Sequence, residues 1–286
     1  AAVVTQPDKP VGRHGSVLQP PAVKRYAVEQ GLPVLQPEKM KDAAFLAALQ
    51  AFGANLFVVV AFRMLPEVVW AMPEYGTFNV HAALLPQYRG AAPINWAVIN
   101  GERQTGVSTF FLDRQIDTGR VIMQRTFDIP HEADAEYVYD GLMKLGAEIC
   151  LDTLQAVVDA DGHPQSTPQD ELLGNAGELK QAPKLFKENC EVDWHQTAEQ
   201  VYNFVRGLCP SPSAWTCLKI GDAETTLKLY RTSETTLLST HRPGTVVIDN
   251  RRLMVCCSDK MLELVELQPA GKKRMEARAY LNGLRV

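Results

Sequence analysis

The 286-residue sequence has no apolar run of the length that crosses a membrane, which takes about 18 residues or more. It also has no recognisable cleavable signal peptide, internal repeat or low-complexity tract. The Gly-x-Gly-x-x-Gly signature of nicotinamide dehydrogenases, which share the parallel-sheet architecture, is absent as well. We therefore expect a protein with no membrane partner, and the sequence gives no support to a dehydrogenase.

Paired metal ligands are also missing. The six cysteines are scattered, with no Cys-x-x-Cys pair and no nearby histidine at zinc-binding spacing. This pattern predicts reduced, mostly buried thiols and no metal site. Because disulfides are rare in the reducing cytosol, we expect a cytoplasmic protein.

The chain as a whole has no excess of positive charge, since its net charge is −4. The charge is unevenly distributed, with −6 over residues 1–185 and +2 over residues 186–286. A more basic C-terminal part favours a nucleic-acid partner only weakly, because such asymmetry usually reflects solvated surfaces. Charge alone therefore leaves the partner open.

The first half alternates short apolar runs with helical stretches, which predicts a parallel sheet covered by helices, an α/β fold. Residues 21–30 and 42–50 read as helices, the second with Asp42 as its cap. Residues 56–62 are continuously apolar, which predicts a strand buried on both faces. Strands are expected over residues 107–112 and 121–127, and apolar spacings of three and four predict a helix from about residue 138 to 160.

Turn-forming residues mark the change to a second domain. Residues 161–181 are rich in proline and glycine and predict a linker. A short helix over residues 199–208 follows, and then strand candidates at residues 215–220, 225–230, 246–249, 253–257 and 261–267. Closely spaced short strands predict a small barrel or a sandwich. We thus expect a catalytic domain over residues 1–160, a linker over 161–181 and a second domain over 182–286.

Three polar residues of the first half form a candidate reaction centre. Asn79 and His81 end a predicted strand, and alternation along a strand places positions i and i+2 on one face. Asp117 lies in a separate Ile-Asp-Thr-Gly turn. An amide, an imidazole and a carboxylate suit a reaction in which a carbonyl becomes an oxyanion and protons move. Taken alone, His81 is also typical of a core residue, and Asp117 of a residue that caps its own turn.

The segment Asn79-Val-His-Ala-Ala-Leu-Leu-Pro86, followed by Asp117, resembles the formyltransferase family that uses 10-formyltetrahydrofolate. That family has Asn-x-His-x-Ser-Leu-Leu-Pro and a distant aspartate at its catalytic centre, and Ala83 here replaces the serine. Residues 5–13, 89–94 and 181–185 are similar to the members that formylate the methionine of initiator tRNA. The resemblance runs over nearly the whole chain.

This resemblance implies a Rossmann-like formyltransferase domain followed by an OB-like barrel that contacts tRNA. Catalysis would fall to Asn79, His81 and Asp117, with 10-formyltetrahydrofolate as formyl donor and methionyl initiator tRNA as partner. The folate-binding residues would be Arg63, Met64, Leu65, Ala83, Leu84, Leu85 and Pro86. The tRNA-binding residues would be Arg13, Lys9, Lys24 and Arg25.

The resemblance also implies an earlier strand, turn and helix before residue 1, so we expect the natural protein to be longer. Separately, we expect a monomer. Two alternatives stay open. A formyltransferase that acts on a small amine, such as a sugar nucleotide, would share the same three residues. A noncatalytic RNA-binding protein would use the barrel, but it gives no reason for three polar groups to converge.

Overall fold

The structure, a computed structural model, describes residues 1–11, 17–61, 64–173 and 178–284. The helices are α1 (Ala22–Glu29), α2 (Ala43–Gln50), α3 (Glu67–Trp70), α4 (Pro93–Ile99), α5 (Ala135–Asp159), α6 (Gln169–Leu172), α7 (Ala198–Gly207) and α8 (Ala277–Asn282). The first ten strands are β1 (Val3–Val4), β2 (Lys9–Val11), β3 (Val17–Gln19), β4 (Val34–Leu35), β5 (Phe57–Val60), β6 (Thr77–His81), β7 (Arg89–Gly90), β8 (Gln104–Phe111), β9 (Val121–Asp128) and β10 (Gln181–Ala182). The others are β11 (Ala214–Ile220), β12 (Ala223–Leu238), β13 (Val246–Asp249), β14 (Arg252–Cys256), β15 (Lys260–Pro269) and β16 (Met275–Glu276).

The first half is built on a sheet with the strand order β5-β6-β8-β9. Strands β5 and β6 run parallel, whereas β8 and β9 pair antiparallel. Strands β1 and β4 form a second, parallel pair. This mixed arrangement with flanking helices confirms the predicted α/β, Rossmann-like class, with an antiparallel extension on one side.

Local sequence signals account for the helices. The Asp42 carboxylate accepts hydrogen bonds from the backbone N–H groups of Ala44 (2.8 Å) and Phe45 (3.3 Å), so it caps α2 as predicted. Helix α5 begins after a second aspartate cap, Asp134, and buries the predicted apolar face, including Val138 and Leu142, in the core of the first half. That packing holds α5 against the sheet.

Strand β5 differs from the prediction of a strand buried on both faces. Val58 is 41% exposed and Val60 is 61% exposed, while Phe57 is half-buried. The prediction was wrong because an apolar run does not show whether both faces of a strand are covered. In the described part of the chain, β5 is an edge strand of its sheet and the face that carries the two valines is open to solvent.

The second half folds around one antiparallel sheet with the order β11-β12-β15-β14-β13, and β16 pairs with β15. The sheet curls into a half-barrel over helix α7. Its core contains many fully buried apolar side chains, among them Leu227, Leu229, Leu262 and Leu264. The predicted strand-rich second domain is confirmed, and OB-type connectivity stays a prediction.

The segment predicted to be a linker has defined structure where it is described. Thr167 forms a β-bridge with Val121, α6 follows, and β10 pairs with β7. Among the described helices, none combines the length and apolarity that a membrane crossing needs.

Candidate active site

Strand β6 positions Asn79 and His81 at one end of the sheet. Asn79 is opposite Phe110 of β8, and His81 is opposite Ser108 of the same strand. The His81 and Phe110 rings lie nearly perpendicular to each other, with 6.3 Å between centroids. His81 is only 6% exposed. The ring is therefore buried next to an aromatic side chain of β8.

A backbone carbonyl determines how the His81 ring carries its proton. The Nε2 atom lies 2.9 Å from the carbonyl oxygen of Tyr88. A carbonyl can only accept, so Nε2 carries the hydrogen and donates it. In the neutral ring, Nδ1 then presents a lone pair on the opposite side.

Asp117 faces this nitrogen. Its Oδ2 atom lies 3.9 Å from His81 Nδ1 and accepts a hydrogen bond of 2.9 Å from the backbone N–H of Gly90. Asp117 has a φ of 55°, a left-handed conformation that aspartate tolerates better than most residues. The structure therefore brings Asp117 to His81, and Asn79 lies two positions before His81 in the same strand, so the catalytic role of the three residues stays a prediction.

Asn79 supplies an unused polar atom. Its Oδ1 is buried and has no hydrogen-bond partner within the described residues. A buried polar group without a partner is costly, so such an atom points to a ligand that would satisfy it. Rotation of the amide by 180° exchanges Oδ1 and Nδ2, so this position can accept or donate.

The loop beside the site depends on Gly90. Its φ of 127° is a conformation that side chains rarely adopt, and a Cβ there would overlap the carbonyl oxygen of Ala182 in β10. The same carbonyl accepts hydrogen bonds from Ala91 (2.7 Å) and Ala92 (3.2 Å). The close approach of β10 thus holds the loop that donates to Asp117.

The loop is also fixed through the side chain of Tyr88. Its hydroxyl donates a hydrogen bond of 2.5 Å to Glu102, and Lys180 donates to the same carboxylate at 2.6 Å. Burial, and then the hydrogen bond to Glu102, raises the pKa of the Tyr88 phenol. Because the phenol stays protonated, it remains a donor across the whole physiological pH range.

The predicted folate-binding segment from residue 83 to 86 is largely committed to internal bonds. Ser108 donates to the carbonyl of Ala83 (2.6 Å) and accepts from the N–H of Leu85 (3.0 Å). Gln124 donates to the carbonyl of Leu85 (2.8 Å). The peptide before Pro86 is cis. Of the four residues only Leu84 has a partly exposed side chain, since the other three are buried. The role of this segment in folate binding stays a prediction.

The second predicted folate-binding group lies after β5. Met64 is 74% exposed, and Leu65 packs partly against the cluster around Phe45 and Val69. Arg63 lies outside the described residues. Their contacts with folate stay predictions.

The predicted tRNA-binding residues differ in their surroundings. Lys9 and Arg25 are exposed, whereas Lys24 forms an ion pair of 2.8 Å with Asp8. Hydrogen bonds from Gln36 and then from Lys24 hold the pKa of Asp8 below its usual value. A phosphate would have to compete with Asp8 for Lys24. Arg13 lies outside the described residues.

One site residue was missed at the sequence level. Gln169, in the predicted linker, is 3% exposed and hydrogen-bonds to the carbonyl of Asp117. Nothing in its neighbourhood along the chain signals this contact, because its partners lie 50 or more residues away. Only the fold brings them together.

Models of two protein domains match the chain. The model described as Formyl transferase matches residues 1–154, and the model described as Formyl transferase, C-terminal domain, matches residues 184–285. The chain belongs to the formyl transferase family.

Curated relatives of this formyltransferase support the assignment. The methionyl-tRNA formyltransferase of Parabacteroides distasonis is 53% identical over 285 residues, which cover 99% of this chain and 87% of the relative. The protein of the same name from Phocaeicola vulgatus is 50% identical over 286 residues, covering 99% and 88%.

Solved structures share the fold at lower identity. An N-formyltransferase from Helicobacter canadensis, in complex with folinic acid and dTDP-3-aminofucose, has a TM-score of 0.63 and 16% identity, covering 90% of this chain and 86% of that one. HypX from Aquifex aeolicus, in complex with tetrahydrofolic acid, has a TM-score of 0.60 and 21% identity, covering 90% and 43%. These likenesses concern the fold of the formyltransferase.

Proposed function

We propose that this chain transfers a formyl group from 10-formyltetrahydrofolate to the amino group of methionyl initiator tRNA. The reaction would serve translation initiation in the cytoplasm. The observation that carries the proposal is the proximity of Asp117 to His81, which follows Asn79 by two positions in β6, in a chain 53% identical to a protein named methionyl-tRNA formyltransferase.

The chemistry requires a donor for developing negative charge. When the amine attacks the formyl carbon, the formyl oxygen becomes an oxyanion, and preorganised donors stabilise it. The buried Oδ1 atom of Asn79 has no partner, so it can accept from the amine, and with the amide rotated by 180° Nδ2 can donate to the formyl oxygen. Loss of one such donor costs about 3 to 4 kcal/mol of transition-state stabilisation.

The reaction must also move one proton from the attacking amine to the leaving nitrogen. Nε2 carries the hydrogen of the neutral ring and donates it to the Tyr88 carbonyl, so the lone pair on Nδ1 is the position at which His81 can accept a proton. The resulting imidazolium can donate from Nδ1, and the nearby Asp117 carboxylate balances its positive charge. We therefore assign proton transfer to His81, orientation of its ring to the Tyr88 carbonyl, and balance of the imidazolium charge to Asp117.

The two substrates would approach from different parts of the chain. Folate would lie beside the backbone at residues 63–65 and 83–86, where Leu84 and Met64 offer apolar surface. The tRNA would contact Arg13, Lys9 and Arg25 and the more basic C-terminal domain. We also propose that the protein acts as a monomer.

The test is transfer of labelled formyl from 10-formyltetrahydrofolate by the purified protein. Methionyl initiator tRNA and an amino sugar nucleotide would be supplied in parallel as acceptors. We expect label on the methionyl-tRNA only. Label on the sugar nucleotide alone would replace the proposed acceptor, and no transfer to either would refute the proposed activity. Uncharged initiator tRNA, which lacks the amino group of the attached methionine, is the matched control.

A further inference from the structure

Gln169 uses every hydrogen-bonding position of its side-chain amide. Its Nε2 donates to the carbonyl oxygens of Asp117 (2.9 Å) and Gly119 (2.8 Å). Its Oε1 accepts from Nε (3.0 Å) and Nη2 (2.7 Å) of Arg89. An amide has two N–H donors and two acceptor lone pairs, so none is left over. Such complete satisfaction of a buried side chain specifies one arrangement of its neighbours.

These four bonds join the two segments that hold the His81–Asp117 pair. One segment is the turn that carries Asp117. The other contains Arg89, and its neighbours on either side provide the Tyr88 carbonyl that binds His81 and the Gly90 N–H that binds Asp117. Gln169 is thus a bridge between the support of the imidazole and the support of the carboxylate.

The Asp117 turn needs an external support. Asp117 has a left-handed backbone conformation, which is less favourable than the right-handed one for a residue with a side chain. The exposed residue Asp113 stabilises the beginning of the turn by accepting from Gln115 N–H (2.9 Å) and the Thr118 hydroxyl (2.8 Å). Gln169 holds the end of the turn through its hydrogen bonds to the carbonyl oxygens of Asp117 and Gly119.

We propose that Gln169 is a positioning residue, which sets the distance and orientation of the Asp117 carboxylate relative to His81. The proposal rests on the proposed function, since it gives Asp117 a role in formyl transfer. It also assigns the segment between the two domains a part in building the active site.

The alternative is that Gln169 only anchors Arg89. Gln169→Glu separates the two roles, because a carboxylate still accepts from Arg89 but cannot donate to the carbonyls of Asp117 and Gly119. An anchor would tolerate this change. A positioning residue would not, because carboxylate lone pairs would face both carbonyls and the turn would move.

The experiment measures kcat and KM of formyl transfer for Gln169→Glu, in the wild-type protein and in an Asp117→Asn background. We expect kcat to fall by about 10- to 100-fold in the wild-type background, the scale of a catalytic group displaced by about 1 Å, with KM for methionyl-tRNA within about twofold. In the Asp117→Asn background we expect less than about a twofold further loss, because coupled residues are not additive.

Equal fold-losses in both backgrounds, or an unchanged kcat in Gln169→Glu, would overturn the proposal. Should Gln169→Glu fold poorly, Gln169→Met enters the same cycle beside Arg89→Met, which removes only the contact with Arg89, and an equal loss of kcat in these two variants would overturn the proposal. Thr153→Val is the matched control. Thr153 is also fully buried, but it bonds to Thr109 (2.8 Å) and to the Ile149 carbonyl (2.7 Å), so its loss should lower the melting temperature and leave kcat unchanged.

The wild-type reaction distinguishes failure of this proposal from failure of the proposed function. If the wild-type protein formylates a small amine instead of methionyl-tRNA, the same cycle is run with that amine, because Asp117 geometry matters for any formyl acceptor. If the wild-type protein transfers no formyl group at all, both the proposed function and the role of Gln169 are refuted.

Discussion

The catalytic sheet and the C-terminal half-barrel bury different kinds of side chains. Neighbouring strands β6 and β8 bury a set of polar residues, which are Thr77, His81, Thr105, Ser108 and Thr109. The half-barrel is centred on an almost continuous apolar cluster, and the buried polar residues of its strands are Thr216 and Thr232. In the first region the Ser108 hydroxyl fixes the segment after His81 through its bonds to Ala83 and Leu85, whereas the second region derives its stability mainly from apolar packing.

The difference indicates which changes should affect activity and which should affect stability. A buried hydrogen bond contributes only about 1 kcal/mol net, but it fixes a direction in space. A buried leucine contributes more to stability and specifies less about orientation. Substitutions in the two regions should therefore separate loss of turnover from loss of folding.

The largest effect on turnover is expected at Asn79 and His81. Asn79→Ala or His81→Ala should each lower kcat for formyl transfer by at least about 100-fold, because in the proposed mechanism each removes a group that acts on the developing oxyanion or the proton. Steady-state kinetics at saturating methionyl-tRNA would measure this effect. Melting temperatures close to the wild-type value are the control for folding, and near-normal turnover would remove the residue from the mechanism.

The largest effect on stability is expected at Leu264, a 1% exposed residue of β15. Leu264→Ala should lower the free energy of unfolding by about 3 kcal/mol, because it leaves a cavity in the apolar cluster. Urea denaturation would measure this loss. Leu237→Ala in the adjacent β12 is the matched control, since Leu237 is 43% exposed and its loss should cost far less. A large fall in kcat of folded Leu264→Ala protein would contradict the separation of the two regions.

The smallest effect is expected for a surface ion pair of the half-barrel. The Nη2 atom of Arg231 lies 3.0 Å from Oε1 of Glu276, and the two side chains are 59% and 58% exposed. Arg231→Ala should change the free energy of unfolding by no more than about 0.5 kcal/mol, because solvent screens exposed pairs. Denaturation at low and high salt checks this, since any contribution should shrink as salt rises. A loss as large as that of Leu264→Ala would show that the half-barrel depends on its surface charges.

Local signals in the sequence predicted much of the fold. The Asp42 cap before an alanine-rich run indicated α2, and the spacing of Val138 and Leu142 indicated α5. Strand β12 is longer than predicted because it continues through irregularities after Leu229, where the alternation of apolar and polar residues breaks. Exposure of Val58 and Val60 could not be predicted, since coverage of a strand depends on distant segments.

The candidate site was predictable only in part. Asn79 and His81 are two positions apart in one strand, so the period of the strand already placed them together. Asp117 was placed there by resemblance, and the structure brings it to 3.9 Å from His81. Gln169 could not be predicted, because a glutamine in a turn-rich segment shows no periodicity and its bonds exist only in the folded chain.

The most direct test of the account is the single-turnover rate of formyl transfer by Asp117→Asn. The substitution keeps the shape of the side chain and removes the charge that faces His81. We predict a rate at least about 100-fold below wild type at saturating 10-formyltetrahydrofolate and methionyl-tRNA, with unchanged tRNA binding and folding. A rate within about twofold of wild type would contradict the claim that the Asn79, His81 and Asp117 constellation performs the chemistry.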